Sequence, residues 1–299
     1  MDAILNRRGP SVWERFINNP TLFLAQNLYV HGTRRSYWRP SSSATVRVIC
    51  ISDTHNQHES TLPLPDGDIL VHAGDITQSG TEEELERALA WLHAQPHPFK
   101  VFIAGNHDHS LGNPTTVDRI RNDYPELIYL EDSEATITVR GRTLNIYGSP
   151  RTPRHGSWSF QYPRIRIPDA QTSTVWASIP LHTDILVTHG PPAHHLDNNG
   201  SGCVGLLSAL WRVQPSLHVF GHIHSGHGIE SADWDNFQKS YERICESGGG
   251  IWHLVSMLAQ FLTRWWNKPP GGKNTTLVNA SVLGGHWDEL RRKSIVVDI

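Results

Sequence analysis

The sequence predicts a layered α/β fold, built either on one mixed sheet or on two sheets packed face to face. Three observations lead to this prediction. Apolar runs of four to six residues, rich in Val and Ile, recur from Val46 onward and have the length of buried strands. Helical segments alternate with the early runs, as in βαβ units, whereas the later runs follow one another across short turns. The chain of 299 residues is also long enough to bury one substantial core.

The predicted strands form two groups. The apolar runs expected to be buried are residues 46–51, 69–72, 101–104, 185–188 and 217–220. The strands expected to pair antiparallel are residues 136–139, 142–147, 277–281 and 295–298. Thr81 and Glu84 have the spacing of a capping box, which predicts a helix after Thr81. A further helix is expected around Leu206 and Leu210, before Pro215.

The chain is expected to consist of an N-terminal extension at residues 1–44 and one domain at residues 45–299, with an insertion at 226–275. Ser11 and Glu14 predict a short capped helix in the extension, and Pro40 with the following serines indicates a linker. The insertion predicts an amphipathic helix at about 251–266, with Gly248–250 before it and Pro-Pro-Gly-Gly at 269–272 after it.

The apolar face of the insertion helix allows three roles. We expect it to pack on the domain and extend the core; a lid over the functional site and a membrane-surface helix are the alternatives. Trp252, Trp265 and Trp266 lie near its two ends, but Arg264 and Lys268 supply little positive charge, so membrane association is not expected.

Composition excludes several classes of function. A net charge of −3 and a pI near 6.7 give no basic footprint, so no nucleic-acid partner is predicted. The three cysteines form no CxxC pair, which favours a reducing compartment over a disulfide framework or a thiolate zinc site. The sequence contains neither a signal peptide nor a membrane-spanning segment, and we expect a cytoplasmic location.

Five short motifs carry the chemistry, and each follows an apolar run. In order they are Asp53-Thr54-His55, Gly74-Asp75, Gly105-Asn106-His107-Asp108, Thr188-His189-Gly190 and Gly221-His222-Ile223-His224. Ligands gather at the carboxyl ends of strands in sheets of this kind. Carboxylate oxygen, amide oxygen and imidazole nitrogen suit hard or borderline divalent cations. Each motif alone would indicate little more than a turn, but the ordered set predicts a hydrolytic metal centre.

This ordered set resembles the calcineurin-like metallophosphoesterases over roughly residues 46–225, with closing strands at 279–281 and 296–298. The Thr-His-Gly-Pro-Pro segment at 188–192 and the Gly-Ser-Pro loop at 148–150 are most similar to the small metallophosphoesterase-domain-containing subgroup. The resemblance implies a four-layer αββα sandwich with mixed β-sheets and a hydrolase that acts on phosphate esters. The extension and the insertion depart from the family pattern.

The resemblance also implies a role for each residue. Asp53, His55 and His224 would hold one divalent ion, Asn106, His189 and His222 the second, and Asp75 would bridge them. Two ions about 3.5–4 Å apart activate a shared water as a bridging hydroxide. His107 would protonate the leaving oxygen while Asp108 holds its ring. The metal identity stays open among Mn, Fe, Zn and Ni.

Substrate and competing functions stay open at this point. Phosphodiesters, such as cyclic nucleotides, and phosphomonoesters both fit as small substrates; a protein phosphatase and a non-catalytic metal-bound scaffold for partner binding are the alternatives. The oligomeric state is not predicted. Arg151, Arg154 or His155, after Pro150, are candidates for contacting the phosphate, although a solvated basic loop also fits. Cys203 is a weak candidate nucleophile because it would need a paired base.

Overall fold

A computed structural model describes residues 11–33, 45–60, 63–164, 175–198, 200–267, 273–284 and 290–299. The predicted linker at 40–43, the predicted helix stop at 269–272 and the side chains of Trp265 and Trp266 lie outside the described residues. The chain divides into two compact units. The smaller comprises Met1–Tyr37 and Glu230–Asn274, and the larger comprises Trp38–Ile229 and Thr275–Ile299.

The regular elements have the following bounds. The helices are α1 (Val12–Asn18), α2 (Pro20–Thr33), α3 (Glu82–His93), α4 (Pro114–Asp123), α5 (Val204–Val213), α6 (Asn236–Ser247) and α7 (Ile251–Asn267). The strands are β1 (Arg47–Ile51), β2 (Ile69–His72), β3 (Phe99–Phe102), β4 (Leu127–Tyr129), β5 (Ser133–Val139), β6 (Arg142–Ser149), β7 (Thr152–Pro153), β8 (Gln161–Tyr162), β9 (Ile185–Thr188), β10 (Leu217–Phe220), β11 (Gly228–Ala232), β12 (Thr275–Asn279), β13 (Leu283–Gly284), β14 (Leu290–Arg291) and β15 (Ile295–Asp298).

Two mixed sheets form the centre of the larger unit. The first has the strand order β15-β1-β2-β3-β4, in which β15 is antiparallel to β1 and the other neighbours are parallel. The second has the order β11-β12-β10-β9-β6-β5, with β12, β10, β9 and β6 parallel and β5 antiparallel to β6. The parallel strands of each sheet therefore end at one edge.

The two sheets pack face to face. One apolar core contains alternate residues from both sheets, such as Val48 and Val71 from the first and Val187 and Val219 from the second. The opposite face of the first sheet is covered by α3 and α4, whose Leu89 and Ile120 respectively belong to a second core. In the second sheet, Leu186 and Phe220 are buried on the opposite face. The expected four-layer αββα sandwich is confirmed.

Most predicted strands are present, but one pairing was wrong. Residues 277–281 were expected to form an antiparallel strand, whereas β12 lies parallel to β10, with Val219 opposite Val278. More than fifty residues separate β10 from β12, which leaves ample chain for the crossover that a parallel pair requires. The antiparallel pairing of β5 with β6 and of β15 with β1 is confirmed.

The smaller unit has a core of its own, formed by α2, α6 and α7. Tyr29 of α2 stacks on Tyr241 of α6 with 4.0 Å between ring centroids, and Leu254 and Met257 of α7 are buried in the same cluster. The predicted capping box at α1 is confirmed, because the Ser11 hydroxyl accepts from the Glu14 amide and the Glu14 carboxylate accepts from the Ser11 amide. In the described part of the chain, each helix falls short of the length or hydropathy needed to cross a bilayer.

Candidate metal centre

The five sequence motifs lie at the carboxyl ends of the central parallel strands. Asp53 follows β1, Asp75 follows β2, Asn106 follows β3, His189 follows β9 and His222 follows β10, each within four residues of the strand end. The carboxyl ends of parallel strands share one edge of a sheet, and here both sheets present that edge together. Residues far apart in the chain are thereby brought into one buried cluster.

One group of possible ligands consists of Asp53, His55 and His224. Their ligand atoms all lie within 4.8 Å of one another, and Nε2 of His224 is 3.3 Å from Oδ1 of Asp53. The other carboxylate oxygen of Asp53 accepts a 2.8 Å hydrogen bond from the Ser281 hydroxyl. The His222 amide also donates to this carboxylate, at 3.1 Å from Oδ1 and 3.0 Å from Oδ2, so the carboxylate is held in place with Oδ1 turned toward His224.

A second group consists of Asp75, His189 and His222, whose ligand atoms also lie within 4.8 Å of one another. Nε2 of His189 is 3.2 Å from Oδ2 of Asp75 and 3.1 Å from Oδ1 of Asn106. The same Asp75 oxygen lies 3.8 Å from Nε2 of His55. Asp75 therefore touches both groups, as a bridging carboxylate would.

Backbone carbonyls fix which imidazole nitrogen faces the cluster. Nδ1 of His189 lies 2.9 Å from the carbonyl of Ala73, and Nδ1 of His55 lies 3.2 Å from the carbonyl of Thr77. A carbonyl can only accept, so Nδ1 carries the proton in both rings and Nε2 is the atom directed at the carboxylates. This is the orientation that metal-binding histidines adopt.

The cluster shifts its own ionisation equilibria. Burial lowers the pKa of His189, but Asp75 and then Asp53 outweigh burial and raise it to about 9. Burial likewise favours the neutral carboxyls, yet the histidines outweigh it: the pKa of Asp53, next to His224, and that of Asp75, next to His189, lie well below their ordinary values. Burial, assisted by His189, lowers the pKa of His222 to about 3. At neutral pH the carboxylates are therefore ionised and His222 is neutral, the states in which they bind metal.

Four of the possible ligands have left-handed backbone conformations. The φ angles are 55° at Asp53, 42° at His55, 52° at Asp75 and 65° at His222. Such conformations are costly for residues other than Gly and cluster at functional sites, where the surrounding structure enforces them. Here each one turns a side chain inward at the end of a strand.

Two glycines make the close packing around the carboxylates feasible. A Cβ atom on Gly221 would lie 2.1 Å from Oδ2 of Asp53, and one on Gly74 would lie 2.6 Å from Nδ1 of His189. Gly74 also has a φ of +94°. The motif glycines before Asp75 and His222 are thus required by close approach.

His107 and Asp108 lie at the site, but not in the relationship that we expected. Nδ1 of His107 lies 2.7 Å from the carbonyl of Gln78, which orients the ring in place of Asp108. The Asp108 carboxylate instead accepts from the amides of Gly105, Ile76 and Thr77 and from the Thr77 hydroxyl, at 2.6–3.2 Å. Asp108 is buried beside the loop after β2, and its oxygens are occupied by backbone donors, so they do not bond to the His107 ring. It therefore holds the Asp75 loop against the Asn106 loop.

A cavity of about 280 Å³ opens onto the cluster. Its lining comprises His55, Asp75, Gln78, Asn106, His107, His155, Trp158, His222 and His224. Trp158, whose ring centroid lies 4.4 Å from that of His107, and Gln78 were missed by sequence reasoning because neither belongs to a metal-ligating motif. His107, with His55 and Asp75, also has ligand atoms within 4.8 Å of one another.

Of the other residues that the sequence singled out, His155 lies at the cavity, whereas Arg151 and Cys203 do not line the part of it that the described residues form. His155 lines the cavity, with its ring centroid 4.8 Å from that of His222. Arg151 pairs with Asp132 at 2.6 Å. Cys203 is buried, caps α5 by accepting from the Leu206 amide, and lies 2.8 Å from the Tyr162 hydroxyl. Neither Arg151 nor Cys203 lines the cavity among the described residues.

Comparison with known proteins agrees with this geometry. The chain is 43% identical over 308 residues to "Probable rhamnogalacturonate lyase C" of Emericella nidulans, which covers all of this chain but 29% of that protein. It is 39% identical over 217 residues to human "Metallophosphoesterase domain-containing protein 1", covering 64% of each chain. A UPF0046 protein of Caenorhabditis elegans is 36% identical over 222 residues, 69% of this chain and 72% of that protein. The chain thus spans less than two thirds of the length of the first two relatives. The calcineurin-like phosphoesterase family matches residues 46–226, which contain every motif described above, and the chain belongs to that family.

Proposed function

We propose that the protein is a metal-dependent phosphoesterase that hydrolyses small phosphodiesters or phosphomonoesters with the help of two divalent cations. The observation that carries the proposal is that Asp75 lies beside histidines of both ligand groups and that residues of both groups line one cavity. The human relative, which is named for a metallophosphoesterase domain, supports the same reaction class.

The residues fit such cations. Asp53, His55 and His224 would hold one ion and Asn106, His189 and His222 the other, while Asp75 would contact both. The mixture of imidazole, carboxylate and amide donors suits Mn, Fe, Zn or Ni, among which geometry and availability decide. Bound in pairs, such ions activate water and neutralise the charge of phosphoryl oxygens.

His107 is placed to move a proton to the leaving oxygen. Its Nδ1 atom donates to the Gln78 carbonyl, so the ring is held with Nε2 free to carry the transferred proton. The ring packs against Trp158 at a tilt of 31°, and both side chains line the cavity. The hydrogen bond and this packing together orient the ring toward the cavity in this proposal.

His155, which lines the cavity beside His222, would supply a contact for the phosphate. Of the three candidates in the loop after β6, His155 lines the cavity, whereas Arg151 is paired with Asp132 and Arg154 donates to the Gly156 carbonyl. We therefore assign substrate positioning to His155 in this proposal.

The test is an assay of the metal-depleted chain with aryl phosphodiesters and monoesters, after Mn, Fe, Zn or Ni is restored singly. We expect turnover that chelation abolishes and that one of these metals restores. Turnover that persists after metal content has fallen to zero would contradict the mechanism. Phosphoprotein and rhamnogalacturonan belong in the same panel. Cleavage of phosphoprotein alone would establish a protein phosphatase, cleavage of the polysaccharide alone would refute a phosphoesterase, and stable metal binding without any turnover would indicate a scaffold.

A further inference from the structure

The helices of the smaller unit leave a broad apolar surface in contact with solvent. On α7, Leu254 and Met257 are buried against α2 and α6, whereas Ile251, Val255, Leu258 and Leu262 are exposed. Apart from Met257, all of these residues have the helical spacing of a single apolar face in the sequence. The apolar face of α7 is thus wider than the area that α2 and α6 cover, and the uncovered part is exposed to solvent.

Exposed tryptophans extend this surface at one end of α7. Trp252 is 80% exposed, and Trp13 on α1 is 68% exposed, flanked by the exposed Val12 and Ile17. Asn19, at the corner between α1 and α2, donates a 2.7 Å hydrogen bond to the carbonyl of Gly248, just before α7 begins. This bond holds the C-terminal end of α1 beside the start of α7. Exposed apolar surface of this extent marks an interaction site.

The charges of the same segments indicate the partner. Arg264 and Lys268 alone supply little positive charge, which is why the sequence did not predict membrane association. Residues 12–37 and 247–274, which carry α1, α2 and α7, together contain six Arg or Lys residues and one acidic residue, Glu14. Within Glu230–Asn274, the acidic residues all precede residue 247. A second copy of the chain docked through this face would bring the same basic segments together, because an isologous contact pairs each patch with itself. An anionic surface would be attracted instead.

We propose that the apolar face of the smaller unit, formed by α7 with Trp13 and Ile17 of α1, docks on an anionic lipid surface. The indole rings would lie at headgroup depth, where the apolar body of tryptophan and its polar N–H are both accommodated. The face of α7 enters the upper acyl region, and the positive charge of the same segments favours a surface that carries anionic lipid phosphates. This inference is independent of the proposed phosphoesterase activity.

Vesicle co-sedimentation of the full chain tests the proposal. Vesicles of phosphatidylcholine alone are compared with vesicles that also contain phosphatidylserine, at low and at physiological salt. We expect binding to the anionic vesicles that weakens as salt rises. In a double variant, Trp252→Gln with Leu262→Gln, two apolar side chains that the lipid would bury are replaced by polar ones. The partition coefficient should therefore fall by at least about tenfold.

The matched control is Leu181→Gln. Leu181 is 65% exposed, as is Leu262, but it lies in the larger unit. The control should bind as the unaltered chain does. Because all three positions are exposed, circular dichroism should show unchanged folding in each variant.

Several results would overturn the proposal. They are an unaltered chain that stays in the supernatant, equal binding to neutral and anionic vesicles, or equal loss from the Leu181→Gln control. Sedimentation velocity tests self-association. If the unaltered chain is a dimer that does not bind vesicles, and the double variant is a monomer, the face is a contact between copies and lipid docking is refuted.

Discussion

Nε2 of His189 lies 3.2 Å from Oδ2 of Asp75, and both side chains are buried. The two residues come from different sheets, since Asp75 follows β2 and His189 follows β9. With Nδ1 tied to the Ala73 carbonyl, the proton on Nε2 points at the oxygens of Asp75 and Asn106. In the metal-free protein that proton thus occupies the position at which a cation would find the same oxygens.

Metal binding should therefore release a proton from His189. Its pKa of about 9 means that the ring is protonated at pH 7, and a metal ligand must be neutral. We expect metal affinity to rise by up to about tenfold per pH unit from pH 7 and to level off above pH 9. Competition with a chelator across this range measures the slope, and calorimetry in buffers of different ionisation enthalpy counts the protons. A pH-independent affinity would contradict the assignment.

The stability of the metal-free protein should change in the opposite direction. The raised pKa of His189 stabilises the folded state fully below its ordinary pKa of about 6.5, and this contribution is lost as pH rises through about 9. Urea unfolding of the chelated protein should therefore give a lower free energy of unfolding at pH 9 than at pH 7, by about 2–3 kcal/mol. The ionisation of Asp75 affects neither the pH dependence of metal affinity nor that of stability, because its lowered pKa keeps it ionised between pH 7 and pH 9.

Asp75→Ala should remove metal binding and activity together. Its carboxylate reaches His189 and His55, so neither ligand group is complete without it. Elemental analysis should show loss of both ions, while activity falls to background. The exposed Asp66, in the loop before β2, provides the control, and Asp66→Ala should retain both. Retention of two ions by Asp75→Ala would show that the carboxylate does not bridge them.

His107→Ala should keep its metal ions and lose a factor of roughly 10²–10⁴ in turnover, the usual contribution of a general acid. The loss should shrink for esters with good leaving groups, since these need little protonation. The exposed His182 offers a control, His182→Ala, with unchanged kinetics. Because His107 also lies within ligand distance of His55 and Asp75, loss of an ion from His107→Ala would identify it as a ligand instead.

Asp108→Ala should act chiefly on stability. It would leave three buried backbone amides without an acceptor, which costs about 3 kcal/mol or more. Thermal and urea unfolding of the metal-free protein measure the loss. The stability of Asp108→Asn should lie between that of the unaltered chain and that of Asp108→Ala, because one acceptor oxygen remains. Asp118→Ala, at an exposed position on α4, should be close to neutral. A stable Asp108→Ala with lost activity would restore the role of Asp108 in catalysis.

Much of the larger unit could be predicted from local patterns. The runs at 69–72, 185–188 and 217–220 coincide with β2, β9 and β10, because buried parallel strands are continuous apolar segments. The pairing of β12 could not be predicted, since the residues of a strand do not show whether the neighbouring strand runs parallel or antiparallel to it. The wholly apolar stripe expected on α7 divides into a buried and an exposed face, because burial depends on which helices lie beside it.

Local patterns are enough to recognise the five motifs, their order and the strands that they terminate, and the family resemblance that these motifs carry implies the αββα class and the residues that converge. Periodicity and residue type are local properties, so they can be recognised without coordinates. Which atoms meet could be seen only in the folded chain. Gln78 rather than Asp108 orients His107, and Asp75 reaches histidines from both groups. Such contacts depend on the register and packing of distant segments, which set side-chain distances to within an ångström and leave no signature in the local pattern.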